Sequence, residues 1–553
     1  MAVRSCLCRV LGWCAGLFVA LASGAAEEIS EDDAARFLLQ ASFGPHQESI
    51  LEVQRRGYVG WLNHQMALPL SSVAERVEKS YAANGDSNGE KPLIGLFWEQ
   101  ALHGDDQLRQ RLRFALSQIV VASLEDPATR RAMLAYLDYV DMLGEEALGN
   151  YCTLIRRVTF QPTMALYLTY YENQKADEDR GIVPDENYAR EIMQLFTIGL
   201  EHLALDGTPT GEPTYDQNDV SGLASVFTGL ALPGENFRNG RATVKVIRGD
   251  LVGYPQYHEP GEKRFLGTVV GPGRDAIESV NAALDHLLAH PNVAPFVSKQ
   301  LIQKLVTSNP SPAYIERVAR AFNAGEFRAP GDVLFGKGQR CDMQATTAAI
   351  LLDPEARQRP GKDDQLTGKV REPLIRVIHL MRAFGSQQDL TVDGVVPYAN
   401  YLNSSHDPWA FQSPFTSPTV FNFYRPSYAK PGSEVESMGA VAPETQLMTV
   451  SHLAVQTTWM ASCVVSAGCE DGGLFNPALA PFIEAADRPG ALVDMLDLYL
   501  TANTLMPKTK RRITTALWSI NVPYDLRREE KLEKRLSTAV TMVVTAPEFM
   551  VQR

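Results

Sequence analysis

Apolar residues recur at helical spacing along most of this chain. Leu108, Leu112, Ala115 and Ile119 follow at steps of four, three and four, which places them on one helix face. Ala35, Phe37, Leu38 and Ala41 repeat the pattern after Asp32 and Asp33, acids suited to a first turn. This reading predicts two helices over 31–75, a polar loop over 82–91, helices over 92–123 and 130–172, and a charged loop from Lys175 to Pro184. Two further helices are expected over 185–230, separated by a turn at Asp206-Gly207. Helix returns over 276–356, 365–385 and 442–553, the last interrupted around 470–488 and at Pro523. Residues 231–275 differ: Gly and Pro are dense, and the β-branched run Ala242 to Ile247 predicts a short hairpin. Residues 386–436 read as irregular, with repeated prolines. The fold class expected is predominantly α: a multi-helical globular body with one or two short β-hairpin elements. Helix content should exceed ~50%, against ~30–35% in ordinary globular proteins.

The N-terminus departs from this pattern. Arg4 and Arg9 form a short basic region, Leu11 to Leu21 is an uncharged apolar run, and Ala22-Ser23-Gly24-Ala25 supplies small residues before an acidic stretch. These are the parts of a secretory signal peptide, with a cut after Ala25. The apolar run is shorter than the ~20 residues a spanning helix needs. A periplasmic or secreted protein is therefore expected. The organisation it implies is a signal peptide over 1–25, an N-terminal helical region over 26–230, a Gly/Pro-rich insertion over 231–275, a middle helical region over 276–385, an irregular segment over 386–436 and a C-terminal helical region over 437–553.

Net charge is −13, and −15 once Arg4 and Arg9 are removed. An acidic surface argues against nucleic acid as a main partner. No second apolar run is long enough for a transmembrane segment. Cys6, Cys8 and Cys14 leave with the signal, and Cys152, Cys341, Cys463 and Cys469 remain. An even number in an oxidising compartment suggests disulfides, and of the three possible pairings Cys463–Cys469 is the most local.

Candidate chemistry is sparse. Gly85-Asp86-Ser87-Asn88-Gly89 fits G-x-S-x-G, but a nucleophile elbow needs a strand before it and a helix behind it, and this stretch is a polar loop. There is no H-E-x-x-H, Walker A or G-x-G-x-x-G sequence. His286 and His290 stand four apart, yet Pro291 follows His290, so this residue reads as a helix end. In the helix PDENYAREIMQLFTIGLEHL, Pro184 to Leu203, Asp185 can cap and Glu186 and Arg190 are spaced for an ion pair. Tyr188, Ile192, Leu195, Phe196 and Gly199 form its apolar stripe; Asn187, Arg190, Glu191 and Gln194 form its polar one.

That string closely resembles the signature of the domain-of-unknown-function 1800 family of exported bacterial proteins. Other segments agree in order: RFLLQASFGP from Arg36, QRLRFALSQIVVAS from Gln110, GNYCTLIRRVTFQPTMALYL from Gly149, PTYDQNDVSGLASVFTGL from Pro213, and YHEPGEKRFLG from Tyr257. HPNVAPFVSKQLIQKLVTSNPSPAY from His290, VREPLIRVIHLMRAFG from Val370, QSPFTSPTVFNFYRP from Gln412 and TAPEFMVQR at the end continue the match. The resemblance implies a helical fold with no assigned activity. It also implies a possible partner, an exported protein of the sulfatase-like domain-of-unknown-function 1501 family. It draws attention to the loop holding His258 and Lys263.

Two functions follow as expectations. One is a binding or maturation partner of another exported protein. The other is a secreted or periplasmic enzyme, a metal-assisted hydrolase of an extracellular polymer or small molecule. The candidate catalytic residues are Glu186, Arg190, Glu191, His258 and Lys263, and the candidate ligands of a divalent metal are His258, Glu186 and Glu191, since nitrogen and oxygen donors suit several such ions.

Overall fold

Ser30 accepts a hydrogen bond from the Asp33 backbone N–H and so starts the helix Glu31–Ala41, whose first turn carries Glu31, Asp32 and Asp33. A computed structural model describes the chain from residue 28 to 553, apart from 85–89, 235, 239–247, 362–363, 365, 386–410, 466–476 and 521–527. The chain is 58% helical, above the expected bound. Strands among the described residues form five two-stranded antiparallel sheets. One apolar core runs through the helices from Ala34 to Phe549. No helix among the described residues is long and apolar enough to cross a membrane.

The helix Gln107–Ser117 holds Leu108, Leu112 and Ala115 in the core, as their spacing predicts. It also buries Arg109, Arg111 and Arg113. A helix C-terminus leaves carbonyls without intrahelical donors, and buried guanidiniums supply them throughout this fold. Arg111 Nη2 donates to Lys304 O at 2.6 Å, at the end of Val293–Leu305. Arg382 Nη1 reaches Leu102 O at 2.7 Å and Ala101 O at 3.1 Å, at the end of Glu90–His103. Arg36 Nη1 reaches Ala356 O at 2.7 Å, and Arg535 Nη1 reaches Ala486 O at 3.1 Å. Each contact satisfies a buried acceptor and places a cation at the negative end of a helix dipole.

Some local expectations need correction. A hairpin of Glu326–Ala329 with Val333–Gly336 interrupts the helix expected over 276–356. The helix predicted from Pro184 to Leu203 is shorter: α-helix over Asn187–Glu191 passes into a π-helix over Ile192–Thr197. Gly199 ends it at φ +73°, where a Cβ would stand 2.7 Å from Phe296 Cε2. Beyond it, Glu201–Leu203 pairs with Pro209–Pro213 around the Asp206-Gly207 turn, so that turn joins two strands and not two helices. In the Gly/Pro-rich stretch, Leu230–Ala231 pairs with Val252–Gly253 and Lys263–Phe265 with Thr268–Val270. The hairpin expected at Ala242 to Ile247 lies outside the described residues.

A disulfide joins Cys152 to Cys341 across 189 residues. It ties the helix Tyr151–Phe160 to the segment before Met343–Leu351, where Tyr151 N also donates to Cys341 O at 2.9 Å. Cys463 is disulfide-bonded as well, but Cys469 lies outside the described residues.

Candidate functional site

Asp185 accepts from the Asn187 N–H at 2.9 Å and opens the Asn187–Glu191 helix. Tyr188 turns inward, stacks on Tyr170 with ring centroids 4.2 Å apart, and bonds Thr159 through its hydroxyl at 2.7 Å. On the outer face Glu186 collects donors. Ser221 Oγ gives a hydrogen bond at 2.7 Å, Gln217 Nε2 at 2.8 and 2.9 Å, and Arg190 Nη2 an ion pair at 3.1 Å. Ser221 first, then Gln217 and Arg190, hold this carboxyl below its usual range despite some desolvation. Glu191 is the opposite case. It is buried, its Oε2 has no hydrogen-bond partner among the described residues, and burial pushes its pKa up against the pull of Arg190.

His258 is buried with both ring nitrogens engaged. Nδ1 donates to Thr228 O at 2.9 Å, which leaves Nε2 to accept from Ser279 Oγ at 3.0 Å. Burial pushes its pKa down, so the neutral ring is favoured. Lys263, also buried and lowered by desolvation, donates to the same Ser279 hydroxyl at 3.4 Å. Gly229 permits this approach: at φ +75° its missing Cβ would stand 2.8 Å from His258 N.

The candidates therefore occupy separate environments. The helix Gln217–Val226 carries Gln217 and Ser221 towards Glu186, while Thr228 just beyond it holds His258. Among the described residues no hydrogen bond or ion pair joins His258 or Lys263 to Glu186, Arg190 or Glu191, and no group of three His, Cys, Asp or Glu is placed to hold a metal ion. His286 and His290 serve the fold: His286 Nε2 donates to Leu266 O at 2.9 Å, and His290 Nδ1 accepts from Asn292 N at 3.1 Å. The Gly85–Gly89 stretch lies outside the described residues.

A different cluster gathers buried charges from several segments. Lys369 Nζ pairs with Glu444 Oε1 at 3.0 Å and also donates to Lys304 O at 2.9 Å. Lys304 Nζ donates to Tyr424 OH at 3.0 Å and lies 4.2 Å from the centre of that ring. Glu372 Oε2 accepts from Gln118 and Gln412, both at 2.5 Å. All these side chains are buried. Polar atoms are left over: among the described residues, Glu372 Oε1, Glu444 Oε2, Gln118 Oε1, and Nε and Nη1 of Arg111 have no hydrogen-bond partner. Buried polar groups are rarely left so.

Electrostatics in the cluster oppose one another. Burial raises Glu372, but Lys304, Lys369 and Arg111 together hold it below its usual range. Burial also lowers Lys304, to about 8, with Lys369 and Arg111 assisting and the two carboxylates resisting. Tyr424 is pushed far up by burial and by Glu372 and Glu444. Beside the cluster lies a small cleft of about 10 Å³, room for about one water, lined by Gln300, Gln303, Lys304, Tyr424, Pro426, Pro443 and Glu444. Gln300 also donates to Leu195 O in the π-helix at 3.5 Å, a long contact that links the cleft to the signature segment.

Sequence reasoning missed this centre because its residues are scattered over more than 300 positions and look like ordinary helix-surface charges. One signal was present. Four segments that resemble family motifs, those beginning at Gln110, His290, Val370 and Gln412, supply Arg111, Gln118, Lys304, Glu372, Gln412 and Tyr424. No curated protein and no solved structure matches the chain. Residues 36–551 match the family model described as protein of unknown function, and on that match the chain belongs to the DUF1800 family.

Proposed function

We propose that the protein is an exported helical binding protein that receives a polar group of its partner in the Lys304–Glu444 cleft. The observation that carries this reading is the small surface cleft in which Gln300 and Gln303 stand beside Tyr424, Pro426 and Pro443. Tyr424, Pro426 and Pro443 offer apolar walls around the glutamines.

Export is supported by the basic, apolar and small-residue sequence over 1–25 and by a disulfide in the helical body. The partner proposed is an exported protein of the domain-of-unknown-function 1501 family, as the family resemblance implies. Gln300→Trp narrows the cleft without touching the Lys369–Glu444 pair. Wild-type chain should capture the purified partner, and Gln300→Trp should weaken capture at least tenfold. Equal capture by both overturns the reading.

An enzymatic reading is favoured by one observation, the Lys304 amine beside Tyr424 in the same cleft. It shifts the proposed chemistry from the metal candidates His258, Glu186 and Glu191 to an amine.

A further inference from the structure

The helix Pro507–Trp518 carries Lys508, Lys510, Arg511 and Arg512 and no acid. Ile513 and Leu517 turn inward to the core. One cation is spent: Lys510 Nζ pairs with Asp497 at 2.6 Å and with Asp494 at 3.0 Å. Lys508, Arg511 and Arg512 are exposed and make no ion pair among the described residues. Lys508, Arg511, Thr515 and Trp518 follow at steps of three, four and three, with Arg512 beside them. They form one outward stripe, about 15 Å long. Glu529, Glu530 and Glu533 are exposed on the adjoining helix Arg528–Val544, but none pairs with the stripe among the described residues.

Trp518 closes the stripe. Trp61 and Trp98 are buried, whereas Trp518 is 63% exposed. Its ring lies 5.5 Å from the guanidinium of Arg535, a buried group that also donates to Ala486 O. A fixed cation therefore backs the indole and holds it at the surface.

We propose that this stripe is a peripheral membrane contact that takes the phosphate headgroups of anionic lipid. Guanidinium and ammonium groups suit phosphate oxygens. An exposed indole suits the headgroup level of a bilayer, where one end is apolar and the other wet. Charge alone fits an acidic peptide too; free cations joined to an exposed indole on one ridge favour the bilayer. The net charge of −13 does not oppose this contact. Screening acts over about 8 Å at physiological salt, so distant carboxylates are silent while the stripe touches the surface. Each cation there strengthens attachment about fivefold, and three give about a hundredfold. The inference goes beyond the partner-binding cleft and does not rest on it.

The test mixes the full-length protein with vesicles of phosphatidylglycerol and phosphatidylcholine in equal parts, or of phosphatidylcholine alone, at about 0.1 M salt. Sedimentation measures binding, and hydroxyl-radical footprinting with mass spectrometry reads each tryptophan. Wild type should bind the anionic vesicles about a hundredfold more tightly than the neutral ones. On them Trp518 should oxidise several times more slowly. Lys508→Gln/Arg511→Gln/Arg512→Gln should lose most of that hundredfold gain. Its urea midpoint should match wild type, because the three side chains are exposed and unpaired. Residues 1–25 are the same in both proteins, so attachment through them does not separate the two. Oxidation of Trp518 at one rate with and without anionic vesicles overturns the proposal, and this comparison needs no variant to fold. Equal vesicle binding by both proteins also overturns it. Protection of Trp518 by a short glutamate peptide but not by vesicles overturns it too, and assigns the stripe to an acidic protein segment. Gln300→Trp should leave vesicle binding unchanged, so failure of the cleft reading and failure of this one are separate results.

Discussion

Arg111 Nη2 donates to the main-chain carbonyl of Lys304 at 2.6 Å, and the ammonium of Lys369 donates to the same oxygen at 2.9 Å. One helix-end carbonyl thus anchors two buried cations, and the Lys304 side chain leaves the same residue towards Tyr424. Neutralising this much buried charge requires the two carboxylates Glu372 and Glu444, which arrive from distant segments.

The same device can be tested away from the cleft. Arg382 donates to Gly44 O, Ala101 O and Leu102 O, all buried contacts. Arg382→Met should leave three carbonyls without these donors and lower unfolding free energy by about 3 kcal/mol or more. Arg382→Lys should recover less than half of the loss, because an ammonium lacks the planar fork that reaches several acceptors at once. Urea denaturation of the three proteins measures this. Full recovery by lysine contradicts a geometric role for the guanidinium.

The Cys152–Cys341 bridge closes a long loop. In the chain-entropy account such closure destabilises the unfolded chain by about 5 kcal/mol. Cys152→Ser/Cys341→Ser should therefore lower the urea midpoint well below that of the oxidised wild type. Wild type with reductant should approach the double variant, and reductant should leave the double variant little changed unless the Cys463 bridge contributes. An unchanged midpoint in the double variant contradicts the assignment.

Several histidines are held neutral by the fold. Burial lowers His290 to about 4 and His46 to about 4, and lowers His258 and His379. The folded pKa lies below the unfolded value near 6.5, so at intermediate pH the unfolded chain binds more protons. The stabilisation is fully present above about pH 6.5 and is lost as pH falls towards 4, at up to ~1.4 kcal/mol per pH unit for each histidine. His290→Asn removes one such proton from the linkage. Its stability curve between pH 6.5 and 4 should be shallower than wild type, and parallel curves would rule the contribution out.

Much of the fold was legible because helices with one apolar face announce themselves. Leu108, Leu112 and Ala115 are buried where their spacing puts them, and Asp32 and Asp33 lie in a first turn. What stayed hidden depends on distant contacts. Gly199 ends the signature helix at a positive φ with Phe296 close against it, and periodicity cannot register a residue almost 100 positions away. Arg111 could not be read as buried because an amphipathic reading assumes a wet polar face, yet this face meets other helix ends. The Glu186–Arg190 pair was legible for the opposite reason: its partners are four residues apart on one helix face. The separation of His258 from that pair could not be read, since it depends on the Gln217–Val226 helix having partners on two sides.

His258 offers the most direct separation of structure from chemistry. Its ring joins Thr228 O to Ser279 Oγ, and Ser279 also receives Lys263. His258→Ala should leave the Thr228 carbonyl without the ring's N–H and the Ser279 hydroxyl without its acceptor, and open space where the imidazole packed. A buried acceptor left unsatisfied costs about 1–3 kcal/mol, and the cavity adds to it. The variant should therefore melt well below wild type. Lys263 keeps Ser279 Oγ as its acceptor. His258→Asn should recover part of the stability, because its amide N–H can still reach towards Thr228 O. Partner capture by any folded fraction should persist, since the Lys304 cleft is built from other segments. An unchanged melting temperature with function abolished is the outcome that would return His258 to the chemistry and demote the cleft.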